Sequence, residues 1–166
     1  PRPQFYLAEG LLLHNPEDNL IKNYKRDVNL ADLVLQARLF NPYPTSEGRW
    51  DYGFMVRRTD SGYHAVIIRS DGLWLHTVRT SPPMSSKTLQ RQFSSSIDTS
   101  IGGSNHLRLV VVGAEGRLFI NDRFIVTLDL RQGNNAGGVA VITGFFTEAQ
   151  LAGKSTRFED FTIWSL

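Results

Sequence analysis

The sequence predicts an all-β fold, a two-sheet antiparallel β-sandwich, in a single domain that covers residues 1–166. Turn-forming Gly, Asn, Asp and Pro residues recur at intervals of roughly 8–12 residues, which is typical of such sandwiches. Short runs of β-branched and aromatic residues fill the intervals, as strands require. No long segment repeats its apolar residues with the period of a helix.

The stretch 50–79 carries the clearest strand signal. Its three apolar runs are separated by the turns Asp60–Gly62 and Ser70–Gly72, which predicts a three-strand antiparallel meander. A three-residue second loop would point Trp74 into the core, whereas a two-residue loop would put Arg69 beside an exposed Trp74. Glycine at the last loop position favours the three-residue form, because that position needs a left-handed backbone.

The remaining elements follow the same pattern of short strands and turns. Asn121-Asp122 is a tight turn, since both residues tolerate a positive φ. The segment Leu20–Leu35 is interrupted by Asn and Asp, and Thr147–Ala152 has room for one helical turn. Strands are predicted near residues 4–13, 30–40, 50–58, 63–69, 73–79, 88–94, 106–112, 117–121, 124–129, 138–144 and 157–165.

These segments, in this order, resemble the concanavalin A-like lectin/glucanase jelly roll, and more narrowly its bacterial laminin-G-like and 3-keto-disaccharide-hydrolase-like branch. The resemblance covers about residues 30–165 and implies the jelly-roll topology. Asp122 and Ala140 stand where such proteins usually have glycine, and both positions are structural. The motifs that carry the resemblance are Gly53–Arg57, Ser61–Ile68, Ser70–Gly72, Asn105–Val111, Leu118–Asn121, Gly137–Ala140 and Phe158–Ile163.

Charge and composition argue against two classes of partner. The net charge is only +2, and the 18 basic residues, most of them arginine, are scattered along the chain. That distribution lacks the clustered basic footprint of a nucleic-acid-binding protein. No apolar run reaches the length of a membrane span, so membrane insertion is not expected. The absence of cysteine excludes disulfides and thiolate metal sites.

The acidic residues and histidines give no catalytic pattern. Glycosidases need two carboxylates facing one bond, and laminarinase-type relatives carry them as Glu-x-Asp-x-x-Glu, which this chain lacks. The adjacent pairs Glu17-Asp18 and Glu159-Asp160 would point to opposite faces of a strand. His64 and His76 could meet across the Ser70–Gly72 turn, but no third metal ligand is apparent. The sequence therefore predicts no enzyme activity.

Four side chains of the meander are the candidate ligand-binding residues: Arg57, Tyr63, Arg69 and Arg79. Aromatic rings stack on sugar C–H faces, and a planar guanidinium donates to two oxygens at once. In the three-residue-loop register Tyr63, Arg69 and Arg79 share the outer face, and Arg57 would join them from the neighbouring strand. The alternative is that these arginines only solubilise a sheet surface. The loops 41–49, 80–105 and 144–156 are further carriers of specificity.

Sandwiches of the family that this chain resembles often hold a structural calcium near the chain termini. Glu17, Asp18 and Asp160 are the oxygen donors to consider for such a site. The sequence has no dense cluster of Asp and Asn residues, so no metal or other cofactor is predicted.

The predicted function is a non-catalytic carbohydrate-binding or adhesion-type module whose partner is a glycan. The chain starts at Pro1 without Met, which suggests a module excised from a larger protein. With the predicted function, the parent is expected to be a bacterial protein with an extracellular or cell-surface location. One alternative is a protein–protein or structural accessory domain of a signalling or assembly protein. The other is a sugar-processing hydrolase of the same fold.

Overall fold

The computed structural model describes residues 2–166 and confirms the two-sheet antiparallel β-sandwich. Sheet A has the strand order β1-β12-β3-β8-β9-β10, and sheet B has the order β2-β11-β4-β5-β6-β7. The strands are β1 Phe5–Leu13, β2 Lys22–Leu30, β3 Leu33–Phe40, β4 Asp51–Thr59, β5 Gly62–Arg69, β6 Leu73–Thr80, β7 Ser85–Phe93, β8 Ser104–Val112, β9 Glu115–Ile120, β10 Arg123–Asp129, β11 Gly137–Thr143 and β12 Ser155–Ser165.

Helix is confined, within residues 2–166, to the short 3-10 turns Pro16–Asp18 and Thr147–Ala149. The second lies in the segment where the sequence predicts a single helical turn. In the described part of the chain, neither helix has the length and apolar character needed to cross a membrane.

The main core lies between the two sheets and follows the two-residue period of the strands. On β3, Leu33, Leu35, Ala37 and Leu39 are fully buried, while the residues between them are more exposed. Facing side chains of sheet B, such as Phe54, complete the core. Burial of each large apolar side chain stabilises the fold by about 1.5–3 kcal/mol.

The meander has the register of the three-residue loop. Ile68 pairs with Trp74 and Tyr63 pairs with Arg79, which leaves Ser70–Gly72 as the loop. Gly72 has a φ of 81°, the left-handed conformation that this position requires. Trp74 is 2% exposed and belongs to the core, so it is not a stacking platform.

Strand β2 is absent from the sequence prediction. It is an edge strand paired only with β11, and Asn and Asp, which are poor strand formers, occupy several of its positions. The inward alternation Tyr24, Val28 and Leu30 packs against the main core and holds the strand in place. The apolar residues of β2 therefore do recur at even spacing, but the polar residues between them make the strand hard to recognise from the sequence.

The central strands of sheet B are buried on both faces. Their outward side chains form a second apolar cluster, the outer cluster, beneath partly buried loop and strand residues. Strands exposed to water on one face would alternate in burial, whereas β4 is buried from Asp51 through Arg57. The outer cluster consists of Met55, Ala65, Ile67, Leu75, Ala140 and Ile142.

Candidate functional site

A groove of about 550 Å³ crosses the outer face of sheet B. Its lining comes from β2, from the central strands, from β7 and from the two loops that precede β2 and follow β11. We refer to it below as the groove. Its lining residues are Asn19, Leu20, Ile21, Asn23, Lys25, Met55, Arg58, Tyr63, Arg79, Ser86, Phe145 and Phe146.

One row of cross-strand partners on this face connects the groove to the central strands. The row runs from Lys25 through Ala140, Met55 and Ala65 to Thr77. Lys25 and Met55 line the groove, whereas the other three residues of the row are buried and lie outside its lining.

Tyr63 and Arg79 form the polar end of the groove. They are direct cross-strand partners on β5 and β6, and Arg79 pairs in turn with Ser86 on β7. Both side chains are partly buried, and the Arg79 guanidinium has Met84 Sδ at 3.3 Å as its hydrogen-bond acceptor. The structure brings these two predicted site residues together, on the predicted face.

The expected outward placement of Arg57 is wrong. A β-bulge between Val56 and Thr59 adds a residue to β4 and gives Arg57 a φ of 53°. The Arg57 side chain is 3% exposed, and its guanidinium donates to the backbone carbonyls of Leu130, Ala31 and Gly113. A one-residue shift exchanges the faces of all following side chains, so Arg58 lines the groove instead.

Arg69 lies on the predicted strand but at the opposite end of it. It lies six positions after Tyr63 on β5, a distance of about 20 Å along the strand. Its guanidinium donates to Asp71 at 2.6 Å and lies 5.3 Å from the centre of the Phe146 ring. The structure therefore places Arg69 behind the aromatic wall of the groove and outside its lining.

Asp51 holds the aromatic wall in place. Its Oδ1 accepts a hydrogen bond from the backbone N–H of Phe145 at 2.7 Å, and its Oδ2 accepts one from Phe146 at 3.0 Å. The carboxyl group is fully buried, and that burial raises its pKa to about 7, although the backbone N–H groups and Arg69 act in the opposite direction. Asp51 was not among the site residues expected from the sequence.

His64 and His76 meet between the sheets, as the Ser70–Gly72 turn allows. The Gln132 carbonyl, 2.6 Å from His64 Nε2, can only accept, so His64 donates through Nε2. His64 Nδ1 is then the acceptor for His76 Nε2 at 2.9 Å, and His76 Nδ1 has no partner. Burial lowers the pKa of His76 to about 4. Both rings are structural hydrogen-bonding groups that tether the 130–136 loop.

The three calcium candidates are not gathered into one site. Asp18 pairs with Lys22 and accepts from the Leu20 N–H, whereas Asp160 accepts from the Tyr6 hydroxyl at 2.8 Å. Asp160 lies in the middle of β12 and Glu17 in the turn that follows β1. Across residues 2–166, no three His, Asp or Glu side chains form a group that could hold a metal ion.

Several groove residues escaped sequence reasoning for identifiable reasons. Lys25 lies on the strand that was not predicted. Phe145 and Phe146 lie in the 144–156 loop, which was expected to carry specificity, but they were not identified individually because the course of that loop depends on a buried carboxylate. Arg58 was missed because of the bulge. The sequence signal for the bulge was the pair Gly137-Gly138 on the neighbouring strand β11. A Cβ at Gly137 would lie 2.6 Å from the Arg57 carbonyl carbon, so only glycine leaves room for the bulge.

Comparison with known proteins finds similarity at the level of structure. No protein-family model and no curated protein sequence matches this chain. The carbohydrate-binding module CBM66 from Bacillus subtilis superimposes with a TM-score of 0.58 at 10% identity, over 95% of this chain and 83% of that one. Sheep galectin-11, solved with glycerol, gives 0.60 at 13% identity, over 84% and 94%.

Larger enzymes also contain a similar unit. The fructosyltransferase from A. japonicus superimposes with a TM-score of 0.71 at 14% identity, over 98% of this chain but only 26% of the enzyme. This chain therefore spans about a quarter of that enzyme's length. Together with the sheet order described above, these matches show that the chain has the concanavalin A-like jelly-roll fold of lectins and glucanases.

Proposed function

We propose that this domain is a non-catalytic carbohydrate-binding module that acts at or outside the cell surface and binds a glycan in the groove. The observation that carries the proposal is the composition of the groove lining, which combines aromatic rings with planar polar groups around one concavity. The names of the structural neighbours, a carbohydrate-binding module and a galectin, support it at the level of the fold.

The groove offers both kinds of contact that a sugar needs. The phenol ring of Tyr63 and the rings of Phe145 and Phe146 supply apolar surfaces for C–H groups. The amides of Asn19 and Asn23 and the two groove arginines supply hydrogen bonds to hydroxyl groups. The volume of about 550 Å³ is in the range of small-ligand sites.

Binding rather than hydrolysis is proposed because of where the carboxylates lie. Hydrolysis of a glycosidic bond ordinarily uses two carboxyl groups on opposite sides of that bond. The groove residues, all within the described range 2–166, include no Asp or Glu. Asp51 lies behind the wall, with both of its oxygens bonded to backbone N–H groups.

The experiment is a glycan array followed by calorimetric titration of the best ligand. We expect Tyr63→Ala and Arg79→Ala each to weaken binding by about tenfold or more, the effect of removing a well-packed contact residue. Arg117→Ala is the matched control, because Arg117 is an exposed arginine on β9 of the other sheet. Tyr63→Phe retains the ring and should retain most of the affinity.

Two results would contradict the proposal. One is an array on which no glycan binds. The other is a measured affinity that survives both groove substitutions, since the ligand would then occupy another surface. Circular dichroism of each variant separates a loss of binding from a loss of fold.

A further inference from the structure

We infer that the ligand of the groove is an acidic glycan, one that carries carboxylate or sulfate groups. This inference rests on the proposed function and adds the chemical class of the ligand. Lys25, Arg58 and Arg79 all line the groove, and its lining in the described chain contains no acidic side chain. The groove therefore carries three positive charges that its own walls do not balance.

The other pockets show that this imbalance is local. Four smaller pockets each combine arginine with at least one carboxylate, as in the Arg57 pocket with Asp32 and the Arg131 pocket with Asp129. With a net charge of only +2 for the whole chain, an excess of positive charge is not a general property of its surface. Among these five pockets, only the groove has cationic side chains and no carboxylate in its lining.

Some arginines of the described chain are neutralised by an ion pair, whereas the two arginines of the groove are not. Arg69, Arg131 and Arg157 each lie against a carboxylate. Within residues 2–166, neither Arg58 nor Arg79 forms an ion pair, although Asp60 lines the pocket that adjoins both. Their guanidinium groups are therefore free to bind an external anion. A hydrogen bond between a guanidinium group and an anion is roughly twice as strong as one between neutral groups.

The two arginines are placed on either side of an aromatic ring. Arg58 is on β4, Tyr63 on β5 and Arg79 on β6, all at the same end of adjacent strands. Neighbouring strands are about 4.8 Å apart, so the arginine backbones flank Tyr63 at about that distance on each side. A sugar ring stacked on Tyr63 would present its acidic substituent to one guanidinium or the other, whose planar fork matches carboxylate and sulfate oxygens.

The test begins with a glycan array that holds neutral, carboxylated and sulfated glycans. Titrations then use two matched polymer pairs: polygalacturonate against its methyl ester, and dextran sulfate against dextran. We expect array hits among acidic glycans and, for at least one pair, about tenfold or tighter binding of the acidic member. This affinity should fall as salt is raised, because the contacts are exposed charges. The two pairs distinguish carboxylate from sulfate.

Variants test whether the groove is the site. The double variant Arg58→Gln/Arg79→Gln should lose at least tenfold in affinity for the acidic ligand. Arg117→Gln/Arg123→Gln removes the same charge from exposed positions on sheet A and should retain the affinity. Poly-glutamate, which has carboxylates but no sugar rings, should bind more weakly than the acidic polysaccharide.

Each contrary result has a distinct meaning. If the array hits are neutral glycans and the groove variant weakens them, the acidic class is wrong while the proposed function stands. If no glycan binds at all, the proposed function itself fails. If poly-glutamate binds as tightly as the polysaccharide, the groove recognises an acidic polypeptide. If both double variants lose affinity equally, binding depends on overall charge rather than on the groove, and the inference is overturned.

Discussion

Asp51 Oδ1 lies 2.7 Å from the backbone nitrogen of Phe145, and this contact joins the core of sheet B to the wall of the groove. Asp51 begins strand β4, whereas Phe145 follows β11. The carboxyl group gives the loop a partner for N–H groups that would otherwise lack one, which a buried backbone requires. The shape of the groove therefore depends on a side chain that does not line it.

The Asp51 carboxyl group should make the stability of the fold depend on pH. Its folded-state pKa of about 7 is above the unfolded value near 4, so the folded state binds the proton more tightly. The resulting stabilisation is fully present below about pH 4 and is lost as pH rises through 7. Relative to Asp51→Asn, which does not titrate, the wild type should lose on the order of 3 kcal/mol across this window. Urea unfolding at several pH values measures the difference.

A matched exposed acid provides the control for this prediction. Asp27→Asn removes a carboxyl group from an exposed position on the edge strand β2 and measures the general effect of losing one acidic side chain. A wild type and Asp51→Asn variant with parallel profiles between pH 4 and 8 would show that the buried carboxyl stays ionised.

His76 should act in the opposite direction over part of the same range. Burial lowers its folded-state pKa to about 4 from an unfolded value near 6.5, so the unfolded chain takes up the proton first. Its stabilising contribution is present above pH 6.5 and is lost as pH falls towards 4. His76→Gln keeps an N–H donor for His64 but does not titrate, and its unfolding free energy should fall less steeply on acidification, by on the order of 2 kcal/mol.

NMR of the imidazole groups checks this prediction directly. The His76 ring should keep its neutral chemical shifts down to about pH 4, whereas a free histidine changes near 6.5. A His76 ring that titrates near 6.5 in the folded protein would contradict the assignment of a desolvated, neutral imidazole pair.

The sequence was sufficient for the fold because two-residue periodicity and turn chemistry are local. The loop at Ser70–Gly72 could be assigned from its glycine, and that assignment correctly separated Trp74 in the core from Tyr63 on the outer face. The Asn121-Asp122 turn, with φ values of 51° and 65°, follows the same rule. Each of these predictions needed only neighbouring residues in the chain.

The site was predicted only in part because its remaining features are not local. The alternation of side chains along β4 predicts Arg57 on the outer face. The bulge reverses this placement, and it depends on Gly137, which lies about eighty positions further along the chain. The aromatic wall depends on a hydrogen bond between Asp51 on β4 and the loop that follows β11, which are far apart in the sequence. Alternation along one strand could therefore identify Tyr63 and Arg79 but could not identify Arg58.

Gly53 should be intolerant of any side chain. A Cβ at this position would lie 2.1 Å from the Val66 carbonyl oxygen and 2.8 Å from the Ile67 Cα, both backbone atoms of the paired strand β5. Because those atoms cannot move without breaking the sheet, Gly53→Ala should destabilise the fold by about 3 kcal/mol or more.

Gly48 provides the control for this prediction. At Gly48 the nearest atoms belong to the flexible Leu151 side chain, at 3.1 Å, so Gly48→Ala should cost about 1 kcal/mol or less. Urea midpoints of the two variants compare them, and equal midpoints would contradict the prediction.

Arg57 and Arg58 should respond to the same substitution in opposite ways. Arg57→Met leaves the carbonyl of the buried Leu130 without this donor, together with those of the exposed Ala31 and Gly113, so the free energy of unfolding should fall by about 1–3 kcal/mol. The folded fraction should still bind the glycan, because this side chain does not line the groove.

Arg58→Met removes a partly exposed groove cation, so stability should change by less than about 0.5 kcal/mol while affinity falls about tenfold. Thermal unfolding and calorimetric titration of both variants measure the two quantities independently. If Arg57→Met lost affinity without losing stability, the bulge would not separate a structural arginine from a binding one.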